Sequence, residues 1–139
     1  MQYVEDVHKF HERFDVPQSR SPIVPDEDLV NFRMKFLSEE LHEIYEAVDK
    51  EDLEGLLDGL VDLVYVAIGT ALTFGLDFHE AWERVQSANM EKIAVKNTDG
   101  EGRHKTDVVK PEGWKPPRFK DLIDPSYVRG PMNSEVDHG

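Results

Sequence analysis

The chain has 139 residues, 32% charged and 39% apolar, with no cysteine and a net charge of −13. That size suits one domain around one core, and the composition excludes a disordered chain, a disulfide-stapled fold and a cysteine-ligated zinc site. The acidity is concentrated: residues 1–90 hold 7 Lys+Arg against 20 Asp+Glu, while residues 91–139 hold 9 of each, so no nucleic-acid partner is expected.

The opening MQYVEDVHKF lacks the basic-then-apolar order of a secretory leader, and the absence of cysteine favours the cytoplasm. Val4, Val7, Phe10 and Phe14 recur at helical spacing and predict a first helix over about 3–14. Pro17, Pro22 and Pro25 then predict an extended connection. A second helix over about 26–50 starts on Asp26, Glu27 and Asp28, which suit a helix N-terminus, and carries an apolar stripe of Leu29, Phe32, Phe36, Leu41, Ile44 and Val48. The third, over about 52–74, is apolar around nearly its whole circumference and is expected to be buried in a bundle, with Gly75 as its stop. Its longest mostly apolar stretch, Leu60 to Phe74, contains Asp62 and is too short to span a bilayer. Asp77 to Glu80 has the capping-box pattern and opens a fourth helix over about 77–93. An irregular extension over 94–124, with GWKPPRF as its stiffest part, and a loose tail over 125–139 complete the chain. The expected fold is all-α, a four-helix bundle whose apolar third helix calls for cover from further subunits.

The chemistry lies in acids on two consecutive helices. In SEELHE, Glu40 and Glu43 are about 60° apart around the helix and Glu39 and Glu43 about 40°, so all three share one sector. Asp58 and Asp62, four residues apart, share a face of the apolar third helix. Carboxylates buried together need a partner, and Arg33, two turns before Glu40, is almost the only base nearby. A divalent cation resolves the conflict, and all-oxygen donors favour Mg²⁺, with Mn²⁺ able to substitute, over zinc. His8 and His11 share a face but lack a third ligand, so they do not read as a zinc site.

These residues resemble the MazG-like all-α NTP pyrophosphohydrolases. The resemblance runs from FHERF (10–14) through Arg33, EELHE (39–43), DGLVD (58–62) and SANMEK (87–92) to KPEGWKPPRF (110–119). It implies that Glu40, Glu43 and Asp62 bind metal, two or more ions per site, with Glu39 as a further ligand or water activator. It also implies a homodimer or homotetramer whose sites combine neighbouring subunits. One position departs from the family's ExxD pattern: Gly59 stands where the Glu is expected, and Asp58 is the candidate replacement. Lys92, Lys96 and Lys110 are candidates for phosphate oxygens and Asn89 for base, sugar or phosphate. Trp114 either stacks on a base or pins the extension.

The implied activity is hydrolysis of a nucleoside triphosphate to monophosphate and pyrophosphate. The chain as a whole resembles phage-type members, including the MazZ group, which points to dGTP or GTP and to the host cytoplasm. Other nucleotides stay open: dUTP, dCTP, damaged dNTPs, diphosphates or phosphoribosyl-ATP. So does a non-enzymatic acidic interaction module.

Overall fold

A computed structural model describes residues 1–96 and 106–132. Four helices dominate: α1 (Gln2–Arg13), α2 (Glu27–Asp49), α3 (Leu53–Thr73) and α4 (Phe78–Met90). They are followed by β1 (Ile93–Lys96), β2 (Thr106–Val109) and a 3-10 turn, Lys120–Ile123. The all-α expectation holds, and the helix bounds agree with the spacing to within one residue except at the end of α4. That helix stops at Met90 because β1 follows and pairs antiparallel with β2, Ile93 opposite Val109 through Lys96 opposite Thr106. The extension is therefore not wholly irregular: two short β-branched runs form a hairpin. Residues 97–105 of the extension and 133–139 of the tail lie outside the described residues.

The single domain expected over 1–124 divides into two compact units. Unit 1 holds residues 1–78 and the segment from 121 onward, and unit 2 holds residues 79–120. In unit 1, α2 and α1 both pack on α3. Val4, Val7, Ile68 and Leu72 form the core cluster, with Met1, Tyr65, Phe78 and Met132 against it.

The helix ends show why the chain turns where it does. The side chains of Asp26 and Asp52 accept the amides of Leu29 (3.0 Å) and Gly55 (2.9 Å), capping α2 and α3. Gly75 adopts φ 67, and the amides of Gly75 and Leu76 reach back to Leu72 and Ala71, a Schellman ending. A Cβ at Gly75 would lie 1.9 Å from the Ser21 carbonyl oxygen, so the close approach of the 17–25 connection also demands glycine there. Glu51 closes α2 in the same left-handed way at φ 52, with Asp52 N–H bonded to Ala47 O.

Three expectations need correction. On α1 the buried stripe is Val4, Val7, His8 and His11, while Phe10 and Phe14 are exposed, so the helix is rolled toward its histidines. On α3 only the C-terminal half is core; Leu53, Leu57, Leu60, Val61 and Val64 are exposed in the single chain. α3, at 21 residues with an 18-residue window of mean hydropathy 1.6, is by length and composition long and apolar enough to cross a membrane. The segment expected to trail loosely from residue 125 is tied to unit 1 as far as it is described. Arg129 is buried with its amide bonded to Arg20 O (2.9 Å), and Tyr127 Oη donates to Asp77 Oδ2 (2.5 Å).

Candidate active site

α2 and α3 run antiparallel, and their facing positions are ordered by a small-residue seam. The seam of α3 is Gly55, Gly59, Asp62, Val66 and Gly69, alternating steps of four and three, the repeat that keeps one side of a helix on a neighbour. A Cβ at Gly55 would lie 3.5 Å from Ala47 Cβ, and one at Gly59 2.9 Å from Ile44 Cγ1. Further along, Arg33 Nη2 donates to Val66 O (2.8 Å) and Nε to Thr70 Oγ1 (3.1 Å). Between Ile44 opposite Gly59 and Arg33 opposite Val66, the register sets Glu40 against Asp62. Both acids accordingly line one cavity.

Glu40 belongs to the half-buried side of α2, with Leu37 and Ile44, whereas Glu39 and Glu43 flank it in solvent. Burial first, then the charges of Glu43, Asp62, Asp58 and Glu39, push the Glu40 carboxyl above the ordinary range. Its Oε2 is buried and takes no hydrogen bond among the described residues. Thus the other four acids picked out in the sequence all act on Glu40. They are not equivalent. Glu39 is exposed beside Lys35 (3.9 Å), and Asp58 opens onto a separate concavity with Asp52, Glu54 and Leu57.

Among the described residues no three Asp, Glu or His side chains close on one point as metal ligands would. The donor set nevertheless fits a hard divalent cation: a buried carboxylate oxygen without a partner, surrounded by like charges that a cation would reverse. Glu40 and Asp62 would hold it, with Glu43 and Glu39 within reach on the same helix.

The departure at Gly59 has a steric cause. That position is buried against α2, so the family's Glu would drive its Cβ into Ile44. Glycine at this position permits the helices to approach.

The cavity shared by Glu40 and Asp62 has a volume of about 340 Å³ and is walled by Phe10, Phe32, Phe36 and Tyr65. Its polar floor is His11 and Arg33, 3% and 4% exposed. Burial, then the Arg33 charge, then His8, lower the His11 imidazole from 6.5 to about 4, so it is neutral near pH 7. His8 lies next to it at 0% exposure, its Nδ1 3.0 Å from Gln18 Oε1 and its Nε2 3.2 Å from Glu12. Sequence reasoning dismissed this histidine pair as a zinc site and assigned it nothing else. The available signal was the 4-7-8-11 spacing, which marks His8 and His11 as members of the buried stripe. Gly69 makes room for them: a Cβ there would meet Arg33 Nη2 at 2.7 Å and His11 Nε2 at 2.8 Å.

The remaining candidates belong to unit 2 and are described within it. Asn89 lies near the end of α4, Lys96 ends β1, and both are exposed. Trp114 is half-buried, its Nε1 donating to Ala88 O (2.8 Å), and the Lys92 and Lys110 ammonium groups each lie 5.2 Å from its ring centroid.

Residues 7–89 match the family described as phosphoribosyl-ATP pyrophosphohydrolase. The match takes in the second half of α1, the acidic helices and nearly all of α4. The chain belongs to that family, which lies within the MazG-like all-α NTP pyrophosphohydrolase superfamily. Family members are pyrophosphohydrolases that act on acid anhydrides and generally use divalent metal ions. No curated protein matches the chain.

Proposed function

We propose that this member of the phosphoribosyl-ATP pyrophosphohydrolase family hydrolyses a purine nucleoside triphosphate between its α and β phosphates, releasing the monophosphate and pyrophosphate. Our preferred substrate is dGTP or GTP. One observation carries the reading: Glu40, its buried oxygen without a partner, stands in the combined field of Glu39, Glu43, Asp58 and Asp62 beside an aromatic cavity. A lone acidic surface does not need such an arrangement, because exposed carboxylates avoid one another and stay hydrated.

Glu40, Glu43 and Asp62 would hold Mg²⁺, or Mn²⁺ in its place, with Asp58 as a further donor and Glu39 as either a further donor or the water activator. Bound there, the cation neutralises phosphate charge and makes water more acidic. Glu39, in solvent at the edge of the acids, accepts the proton of the attacking water. The aromatic walls stack on the base, and the floor chooses it. Arg33 keeps N–H donors beyond those taken by Val66 O and Thr70 Oγ1, and guanine offers two adjacent acceptors, O6 and N7, along one edge, where adenine pairs an acceptor with a donor. Within unit 2, Asn89, Lys92, Lys96 and Lys110 offer donors that suit sugar and phosphate oxygens.

Phosphoribosyl-ATP is the second reading, favoured by the family match; it keeps the purine, the triphosphate and the released pyrophosphate. The exposed leucine and valine stripe of α3, with Phe32 and Leu41 of α2, supports a homodimer or homotetramer. Light scattering behind a sizing column measures that directly.

The deciding experiment incubates the protein with each NTP and dNTP and with phosphoribosyl-ATP, in Mg²⁺ or Mn²⁺, and identifies the products. Pyrophosphate with a purine monophosphate is expected, fastest from dGTP. Glu43→Gln and Asp62→Asn should lose turnover with helical content intact. Release of orthophosphate, or full activity in both variants, would remove the assignment. An interaction module without catalysis would show no turnover and no thermal stabilisation by Mg²⁺.

A further inference from the structure

The hairpin of unit 2 sets two lysines side by side. Ile93 pairs with Val109 at the open end of the ladder, so the next residues outward, Lys92 and Lys110, face each other across it. Like charges opposite one another weaken a ladder. In a chain with 29 acids and 16 bases, each of these lysines nonetheless lacks a carboxylate partner among the described residues.

Both ammonium groups are instead held by one ring. Pro111 to Trp114 form a turn, closed by Trp114 N–H to Pro111 O (3.0 Å), with Gly113 at φ 78. The turn folds Trp114 back, and its Nε1 donates to Ala88 O (2.8 Å), one of the carbonyls near the end of α4. The indole is thereby anchored at its polar edge, and its π system lies 5.2 Å from Lys92 Nζ and 5.2 Å from Lys110 Nζ. A cation–π contact of this kind orients an ammonium without neutralising it. Both ammonium groups keep their charge, each 5.2 Å from the ring centroid.

We propose that Lys92 and Lys110, arranged on Trp114, form a binding site for a phosphoanhydride, with both lysines contacting the anion and Trp114 as the positioning residue. Trp114 then has a different task from either expected in the sequence, base stacking or pinning the extension. The inference rests on the pyrophosphohydrolase reading only for where the anion comes from, as the polyphosphate of a bound nucleotide or as released pyrophosphate.

The site is tested without turnover. In a Trp82→Phe background Trp114 is the sole tryptophan, and its fluorescence is titrated with sodium pyrophosphate in EDTA, with sodium chloride at matched ionic strength as control. A saturable change specific to pyrophosphate is expected, its midpoint raised about tenfold by Lys92→Gln and by Lys110→Gln, as loss of one charge-assisted contact requires. By calorimetry in the otherwise native chain, Trp114→Ala should weaken pyrophosphate binding about tenfold although both lysines remain, and Trp114→Phe, which keeps a ring, should restore most of it. An α,β-methylene nucleoside triphosphate distinguishes the two sources: equal sensitivity to Lys92→Gln assigns the site to the nucleotide's polyphosphate, insensitivity to released pyrophosphate. No saturable response to pyrophosphate, or wild-type affinity in both lysine variants, would overturn the proposal. If Trp114→Ala does not fold, the lysine variants decide. Binding of pyrophosphate without any hydrolytic activity would sink the enzyme reading and leave this site standing.

Discussion

Adding one methyl group at Gly59 should test how the acidic site is held. The new Cβ would lie 2.9 Å from Ile44 Cγ1, whereas carbon atoms rest at about 3.5–4.0 Å, an overlap of roughly 0.6 Å or more. Ile44 is β-branched on a helix, so its χ1 has little freedom to yield, and the two helices must part instead. Overpacking of this kind costs about 1–3 kcal/mol, offset by about 0.5–1 kcal/mol from replacing a helical glycine with alanine. We expect Gly59→Ala to be destabilised by about 1 kcal/mol, a fall in Tm of about 3–5 °C for a chain of this size, read by circular dichroism. Turnover should fall as well, because Asp62 sits one turn along the same seam and is carried away from Glu40. In an Ile44→Ala background the contacting atom is gone, so the same Gly59→Ala change should become stabilising, giving a coupling energy of about 1–3 kcal/mol. Gly59→Glu, which restores the family's acid, should be worse than Gly59→Ala. Equal effects in both backgrounds, or a plain helix-propensity gain in the native background, would refute the reasoning.

Three further outcomes follow from the same geometry. Glu40→Gln should lower pyrophosphate release by more than about 100-fold. Because the folded-state carboxyl titrates above its unfolded value, Glu40 detracts from stability progressively as pH rises above the ordinary carboxylate range. The metal-free variant should therefore melt higher than wild type at pH 7, with Mg²⁺ raising the wild-type Tm and leaving the variant unmoved; the reverse order would contradict the crowding of charge at this position. Gly69→Ala should cost about 2–4 kcal/mol in thermal or denaturant unfolding, since its Cβ collides with Arg33 Nη2 and breaks the bond to Val66 O. His11 is the acid-side counterpart. Its folded value of about 4 lies below the unfolded 6.5, so its contribution is complete above pH 6.5 and is lost as pH falls toward 4, about 3 kcal/mol in all. His11→Gln should flatten the stability profile over that window, and an unchanged slope would show that the ring is not buried neutral.

The fold and the acids were legible in the chain for different reasons. Helices α2 and α3 announce themselves through capping aspartates and apolar periodicity, both local properties of consecutive residues. The rotation of α1 was not legible, because Val4 and Val7 fit either stripe and hydrophobicity alone favours Phe10 and Phe14 over His8 and His11. The hairpin was missed because each strand is only four residues long, too short for alternation to register. Glu51 closes a helix in a conformation that glycine usually marks, so nothing at that position signalled the turn.

By itself the sequence determined that acids recur on two consecutive helices, that those helices are apolar enough to pack, and that no cysteine chemistry competes. Those are matters of residue type and angular spacing along one helix. Only the tertiary structure decided that Glu40, and not its neighbours Glu39 and Glu43, is the partly buried acid, that it shares a cavity with Asp62, and that Gly59 leaves no room for a side chain against Ile44. The reason is that burial and the field at a carboxylate depend on how two helices are rotated and how closely they approach. In this chain, contacts at Ala47, Ile44 and Arg33 set both, each of them remote in sequence from the groups they meet on α3.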